Sequence, residues 1–320
     1  MSDHHHHHNH SHSHSHHPRP SATGKNRIFL ISFGLNVAIV VLQVILGLLS
    51  NSLSLLADAG HNLSDVLGLV IAWIAVWLGQ RRASIDYTYG LKRSTIVAAL
   101  LNAALILVAL GAIAVEAIHR FQNPLPVQEQ LVIGAASLGI VLNGFTAWLF
   151  AKDQHDLNMK GVFLHMLTDA LVSVGVVLGA IAIMVTGQVW LDPAMGLVIV
   201  VLIFIGTWGL LKDSVRLILD GVPTAIEMQA VQTFFQEHPQ VISFHHLHVW
   251  ALSTTETALT VHLVVAPEQA GDVLLQEINQ ALGKHFGILH NTIQLETTPN
   301  LSHCQTRDDS CYSSTSKAVG

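Results

Sequence analysis

Apolar residues fall along this chain in long blocks, not in the short alternating runs of a soluble fold. Six blocks are long enough to cross a bilayer, which takes about 20 residues of helix. They cover residues 28–49, 53–79, 95–119, 131–151, 161–186 and 190–210. After the segment Asp220-Gly-Val-Pro223 the pattern changes. Residues 224–237 read as an amphipathic helix, 241–252 and 257–265 as strands, 268–285 as a second helix and 292–297 as a third strand. The expected fold is an α-helical membrane protein with six transmembrane helices followed by a small αββαβ domain, its helices on one face of a sheet. The expected divisions are a His-rich tail over 1–27, a membrane domain over 28–210, an α+β domain over 211–299 and a disordered tail over 300–320.

Composition strengthens the membrane reading. Of 320 residues, 51% are hydrophobic and only 11% charged, against roughly 25% charged in a soluble domain. Loop charges give the helices a direction. Arg19, Lys25 and Arg27 precede the first span, and Arg81, Arg82, Lys92 and Arg93 lie between the second and third. Lys152 and Lys160 lie between the fourth and fifth, and Lys212 and Arg216 follow the sixth. The opposite loops carry only Arg120. The positive-inside rule therefore puts both termini in the cytoplasm. The modest net charge of -6 argues against nucleic-acid binding. The chain shows no Gly-x-x-x-x-Gly-Lys-Ser/Thr loop, which argues against ATP drive.

Histidine is the compositional anomaly: 22 residues, against 15 Lys plus Arg. The run at residues 4–8 resembles a purification tag, but the irregular His-Asn-His and Ser-His alternation that follow read as a native metal-binding tract. Residues 1–17 lack the basic start and apolar stretch of a signal peptide. The two cysteines, Cys304 and Cys311, stand in the last stretch. They form no disulfide framework and fit a reducing compartment or a terminal metal ligand.

The sharpest signal is a motif present twice: His61-Asn-Leu-Ser-Asp65 in the second span and His165-Met-Leu-Thr-Asp169 in the fifth. Residues i and i+4 share a helix face, so each His points the same way as its Asp. An aspartate near the bilayer centre costs about 2.5–3.5 kcal/mol on insertion scales, so two pairs without compensation are a heavy penalty. If the two helices face each other, two imidazole nitrogens and two carboxylate oxygens form a tetrahedral set suited to Zn²⁺. There is a depth difficulty. His61 lies near the outer end of its span, and His165 near the inner end of its apolar run. They meet only if the fifth helix extends beyond that run or tilts, its polar start then lining a cavity open to the cytoplasm.

Around this motif, Ser-Leu-Ser-Leu-Leu-Ala-Asp-Ala-Gly-His61-Asn-Leu-Ser-Asp65 resembles the second span of the cation diffusion facilitator family, in its zinc-exporting branch. Tyr89-Gly90 with Arg93, then Asn102 and Glu116 to Arg120, resemble its third-span region, and Leu211-Lys-Asp-Ser with Asp220-Gly-Val-Pro its exit into the soluble domain. The resemblance covers roughly residues 25–298. It implies a homodimeric antiporter, not an enzyme, that exports Zn²⁺ from the cytoplasm in exchange for H⁺, with His61, Asp65, His165 and Asp169 as the transport site. Ligand chemistry agrees, because imidazole favours Zn²⁺ over ions that prefer all-oxygen sites. Histidine also titrates near neutrality and binds metal only when neutral. Cd²⁺, Co²⁺ or Ni²⁺ as the main cargo, or a membrane metal sensor, are the alternatives. The compact length resembles bacterial members and an inner-membrane location.

By the same resemblance His245, His262, and His290 or Glu296 bind metal in the C-terminal domain, with His303 and Cys304 as a terminal pair. Strand alternation puts His246 and His248 on one face and His245 on the other. The loop over 84–93 holds a single acid, Asp86, and no histidine, so no metal site is expected there. Asp58, one turn before His61, reads as a partner behind the site, an outer-gate residue or a helix N-terminal acid. Asn36, Gln43, Asn102 and Asn143 read as interhelical hydrogen-bonding groups, and Asp192 before Pro193 as the start of the sixth helix.

Overall fold

The computed structural model describes the backbone of residues 25–150 and 157–297, and the side chains of 33–148 and 163–297. Among the described residues six helices are long and apolar enough to span a bilayer: α1 Lys25–Ser50, α2 Leu53–Gly79, α3 Ser94–Gln122, α4 Glu129–Phe150, α5 Leu157–Thr186 and α6 Leu191–Ile218. The sixth continues past residue 210, so Lys212 and Arg216, read from sequence as following the span, ride on its last turns. The fifth begins at Leu157, ahead of the apolar block that starts at 161. The His-rich tract, His303 and Cys304 lie outside the described residues.

The described residues form two compact units, one made of those up to 66 and between 108 and 203, the other of those between 67 and 107 and from 204 on. In the first, α4 packs along α5 and α1 against α4. The core there mixes small and branched residues: Ala57, Ala135, Ala136 and Ala180 with Leu55, Val132, Val176 and Ile199. Small side chains let helix backbones approach closely where lipid supplies no hydrophobic drive for association. Large apolar side chains face outward instead, among them Val108, Leu178 and Val185. Such surface is a liability in water and ordinary against acyl chains.

Two polar clamps fix the α1–α2 turn in this unit. Asp192, in the first turn of α6, is buried, and its carboxylate accepts from Ser52 Oγ and Ser54 Oγ at 2.6 Å each and from the backbone N–H of Leu53 and Ser54. These are the orphan donors of the α2 N-terminus, satisfied by a side chain from another helix. At the other side of the turn Arg120 donates to the Asn51 carbonyl and Gln128 Nε2 to the Leu49 carbonyl at 3.1 Å. The sequence reading of Asp192 as a helix start is right in position, but its side chain serves α2.

The second unit carries the C-terminal domain. Its elements are α7 Met228–Glu237, β1 Val241–Ala251, β2 Thr257–Val265, α8 Asp272–Phe286 and β3 His290–Glu296. The sheet order is β1-β2-β3, with β1 and β2 antiparallel and β2 and β3 parallel across α8. Val231 and Phe235 of α7 and Leu274, Ile278 and Leu282 of α8 pack on Phe244, Leu247, Val249, Val261 and Leu263. Both helices start later than the sequence pattern predicts. Before α7 a turn closes Ile226 N–H onto the Pro223 carbonyl at 2.9 Å. Before α8, Pro267 opens a 3₁₀ turn and Gly271 stands in extended conformation at the cap. Within this unit Lys92 pairs with Glu256, Arg93 with Asp220, and Thr254 N–H donates to Thr95 Oγ1 at 3.1 Å.

Candidate metal sites

The twin motif converges. His61 Nε2 lies 3.2 Å from Asp169 Oδ1, and His165 Nε2 lies 3.3 Å from Asp65 Oδ2. Each His therefore reaches the Asp of the other helix more closely than its own: His61 to Asp65 is 3.8 Å and His165 to Asp169 is 3.7 Å. The two rings stand edge to face, centroids 6.0 Å apart. Ligand atoms of His61, Asp65 and Asp169 lie within 4.8 Å of one another, and His165 joins the set through the two carboxylates. Asp169 is 1% exposed and His165 41%, so the cluster is closed behind the first and open beside the second. Helix periodicity makes this possible, since α2 and α5 each present His and Asp one turn apart on a single face. α5 extends four residues ahead of the apolar block that begins at 161, and His61 and His165 meet on facing helices.

Behind the quartet is a second polar layer. Asp58 is fully buried and accepts from Gln43 Nε2 of α1 at 2.7 Å and from Ser173 Oγ of α5 at 2.9 Å. Asn62 Nδ2 donates to Gln43 Oε1 at 3.0 Å. Gly139 of α4 makes room: a Cβ there meets Gln43 Nε2 and Ser173 Oγ at 3.1 Å each. Asp58 lies well inside α2, so it is not an acid at the helix N-terminus. Sequence reasoning found Asp58 and Gln43 but missed Ser173. The signal was present, for His165, Asp169 and Ser173 recur every fourth residue on α5. Asn143 is fully buried, yet neither polar atom of its side chain has a hydrogen-bond partner among the described residues.

The C-terminal domain holds a second group. Glu296 accepts from both neighbouring histidines: Oε1 lies 2.8 Å from His262 Nδ1 and Oε2 3.1 Å from His245 Nε2. Gln294 Nε2 donates to Glu296 Oε1 at 3.1 Å. Ligand atoms of His245, His262 and Glu296 lie within 4.8 Å of one another. Burial works to raise the Glu296 carboxyl, but hydrogen bonds from His262 and His245 outweigh it and hold it below the ordinary carboxylate value. His245 Nδ1 is buried with no partner among the described residues. His290 is elsewhere: it pairs with Ala258 while Gln294 pairs with His262, and its ring packs edge-on to Tyr89 at 5.2 Å. The alternative of Glu296 over His290 is thus the one the register brings to His245 and His262.

The expected separation of His245 from His246 and His248 does not hold. β1 pairs His245 with His262 and then His248 with Thr260, three steps along β1 against two along β2. That extra residue is a β-bulge. It returns His248 to the face that carries His245.

Against known proteins, residues 29–219 match the cation efflux transmembrane domain and residues 223–298 the cation efflux protein cytoplasmic domain. The chain is 36% identical over 276 residues to the zinc transporter ZitB of Escherichia coli (strain K12), covering 85% of this chain and 88% of that protein. It is 36% identical over 278 residues to the cadmium, cobalt and zinc/H(+)-K(+) antiporter of Bacillus subtilis (strain 168), covering 85% and 89%. It is 35% identical over 301 residues to the cation efflux system protein CzcD of Alcaligenes sp. (strain CT14), covering 92% and 93%.

Proposed function

The chain belongs to the cation efflux family, a family of membrane transporters, and from that premise we propose that it carries Zn²⁺ through the cluster of His61, Asp65, His165 and Asp169 in exchange for protons. It is a multi-pass membrane protein whose function is zinc efflux by antiport. The single observation that supports the choice of site is the cross-pairing of the two motifs, each His beside the other helix's Asp. Two imidazole nitrogens and two carboxylate oxygens are a donor set that a tetrahedral Zn²⁺ accepts.

The same geometry supports proton coupling. An ionised carboxylate can only accept a hydrogen bond, so Nε2 of His61 presents a hydrogen to Asp169 when no metal is bound, while Nε2 of His165 stands in ion-pair contact with Asp65. A cation bound at those nitrogens needs their lone pairs. Proton and metal therefore compete for the same two atoms. Metal enters from the cytoplasm, the helices exchange access, and protonation from outside releases the cargo. The loop charges support cytoplasmic termini in an inner membrane. The match to the family's cytoplasmic domain supports a homodimer that also holds metal at His245, His262 and Glu296.

The test is Zn²⁺ uptake into proteoliposomes with an imposed proton gradient, comparing wild type with Asp65→Ala and His165→Ala. Uptake collapses in both variants while the wild type responds to the gradient. Undiminished uptake in both would remove the quartet from the mechanism. A broader cargo range is the second reading, favoured by the relative named for cadmium and cobalt as well as zinc. Cd²⁺ and Co²⁺ competition in the same vesicles separates the two.

A further inference from the structure

His246 sits at the bulge of β1 with φ 50. This is the left-handed region, which a residue with a Cβ adopts at a cost and keeps only when its surroundings hold it there. The consequence is visible in burial. Phe244 and Leu247 both lie in the core, at 2% and 3% exposure, and the two residues between them stay together on the outer face. Without the bulge, simple alternation would turn His246 inward, among the side chains under α7 and α8. With it, the His246 ring centroid lies 5.2 Å from that of His245 and 5.2 Å from that of His262, which are 5.0 Å from each other. His248 stands at the edge of this triangle, 6.3 Å from His246.

We propose that His246 is the fourth ligand of the C-terminal site, so that a Zn²⁺-type divalent cation is held by three imidazoles and one carboxylate drawn from a single protomer. The proposal rests on the reading of His245, His262 and Glu296 as a cation site. Those three alone leave one position of a tetrahedron open, whereas a site that stores metal without turning it over closes all four. The bulge supplies the missing donor without lengthening the strand, and it does so with adjacent residues, whose side chains an unbroken strand would send to opposite faces. Gln294 then holds the Glu296 carboxylate in orientation through its Nε2 hydrogen bond. The strained backbone at His246 gains a purpose: it is the local deformation that brings a third ring beside those of His245 and His262 on the same face of the sheet.

The experiment uses the chain in detergent, lacking residues 1–17 and carrying Asp65→Ala, so that the tail and the membrane quartet contribute equally little in every sample. Zn²⁺ affinity is read by chelator competition, and the number of bound imidazoles by X-ray absorption at the zinc edge. His246→Ala and His246→Gly each lower affinity by about tenfold or more and remove one imidazole from the count. The glycine variant keeps the left-handed bulge at no steric cost, so its loss reports the missing ring and not a repaired backbone. His262→Ala loses tight binding altogether. Parent-like affinity and imidazole count in both His246 variants, with His262→Ala still defective, would overturn the fourth ligand and leave the three-residue site intact. Unchanged binding in His262→Ala as well would overturn the site and the proposal together.

Discussion

Gln43 of α1 donates to the carboxylate of Asp58 on α2 across 2.7 Å, inside a membrane-spanning bundle and one turn from His61. The same carboxylate accepts from Ser173 of α5. One buried acid thus ties together the two helices that carry the quartet and the helix beside them. Asp58→Ala leaves Gln43 and Ser173 without an acceptor, and a buried donor without a partner costs about 1–3 kcal/mol. The expected outcome is a lowered thermal midpoint in detergent together with slower Zn²⁺ transport. Asp58→Asn retains one acceptor oxygen and loses less. A midpoint equal to that of wild type in the alanine variant would show that the contact holds nothing together.

Gly139 lies against the same contact. A methyl at this position meets Gln43 Nε2 and Ser173 Oγ at 3.1 Å, closer than ordinary van der Waals packing. Gly139→Ala should reproduce part of the Asp58→Ala defect with no change of charge. In the double variant Gly139→Ala, Asp58→Ala the two losses should fall short of their sum, because both act on one network. Strict additivity of the thermal shifts would argue that the positions are independent.

His61 decides the softness of the quartet. Replacing it with Asp makes the donor set richer in oxygen, which suits Mn²⁺ better and Zn²⁺ worse. The ratio of Zn²⁺ to Mn²⁺ uptake by His61→Asp proteoliposomes should fall by about an order of magnitude. An unchanged ratio would place selectivity elsewhere along the pathway.

Glu296 gives the metal-free C-terminal domain a pH dependence with a definite sign. Its carboxyl is held below the ordinary value in the folded chain, so the unfolded state takes up the proton first as pH falls. The stabilisation is fully present above the unfolded value, near 4.3 for a glutamate, and is lost as pH drops through the folded one. In chelator-treated protein the stability difference between wild type and Glu296→Gln should therefore narrow as pH falls below about 4. A difference that grows on acidification would contradict the assigned direction.

Much of this was legible in sequence, and the reasons differ by element. The six spans follow from apolar length, which the bilayer imposes whatever the packing partners are. The quartet was legible because His-x-Leu-Ser/Thr-Asp occurs twice with the i, i+4 spacing that a helix face requires. Ser173 was hidden although it continues that spacing, because a serine in an apolar helix is tolerated without any partner. The bulge at His246 left no trace either: it shows only once β1 is paired with β2, and strand alternation read from one strand alone gives the wrong face. The choice between His290 and Glu296 stayed open in the sequence for a similar reason, as only the parallel register of β3 decides which of its residues stands near His262. The late starts of α7 and α8 reflect Pro223, Pro267 and Gly271, local breakers that amphipathic periodicity overlooked.

Asp192 has a mechanical consequence. Its carboxylate closes the first turn of α2 from the first turn of α6, with four donors converging on one side chain. Pulling those helix ends apart would strand all four donors at once, so the joint is stiff compared with apolar contacts that slide. During a transport cycle the N-terminal ends of α2 and α6 should travel as one lever, and the hinge that lets the quartet change sides has to lie beyond that joint.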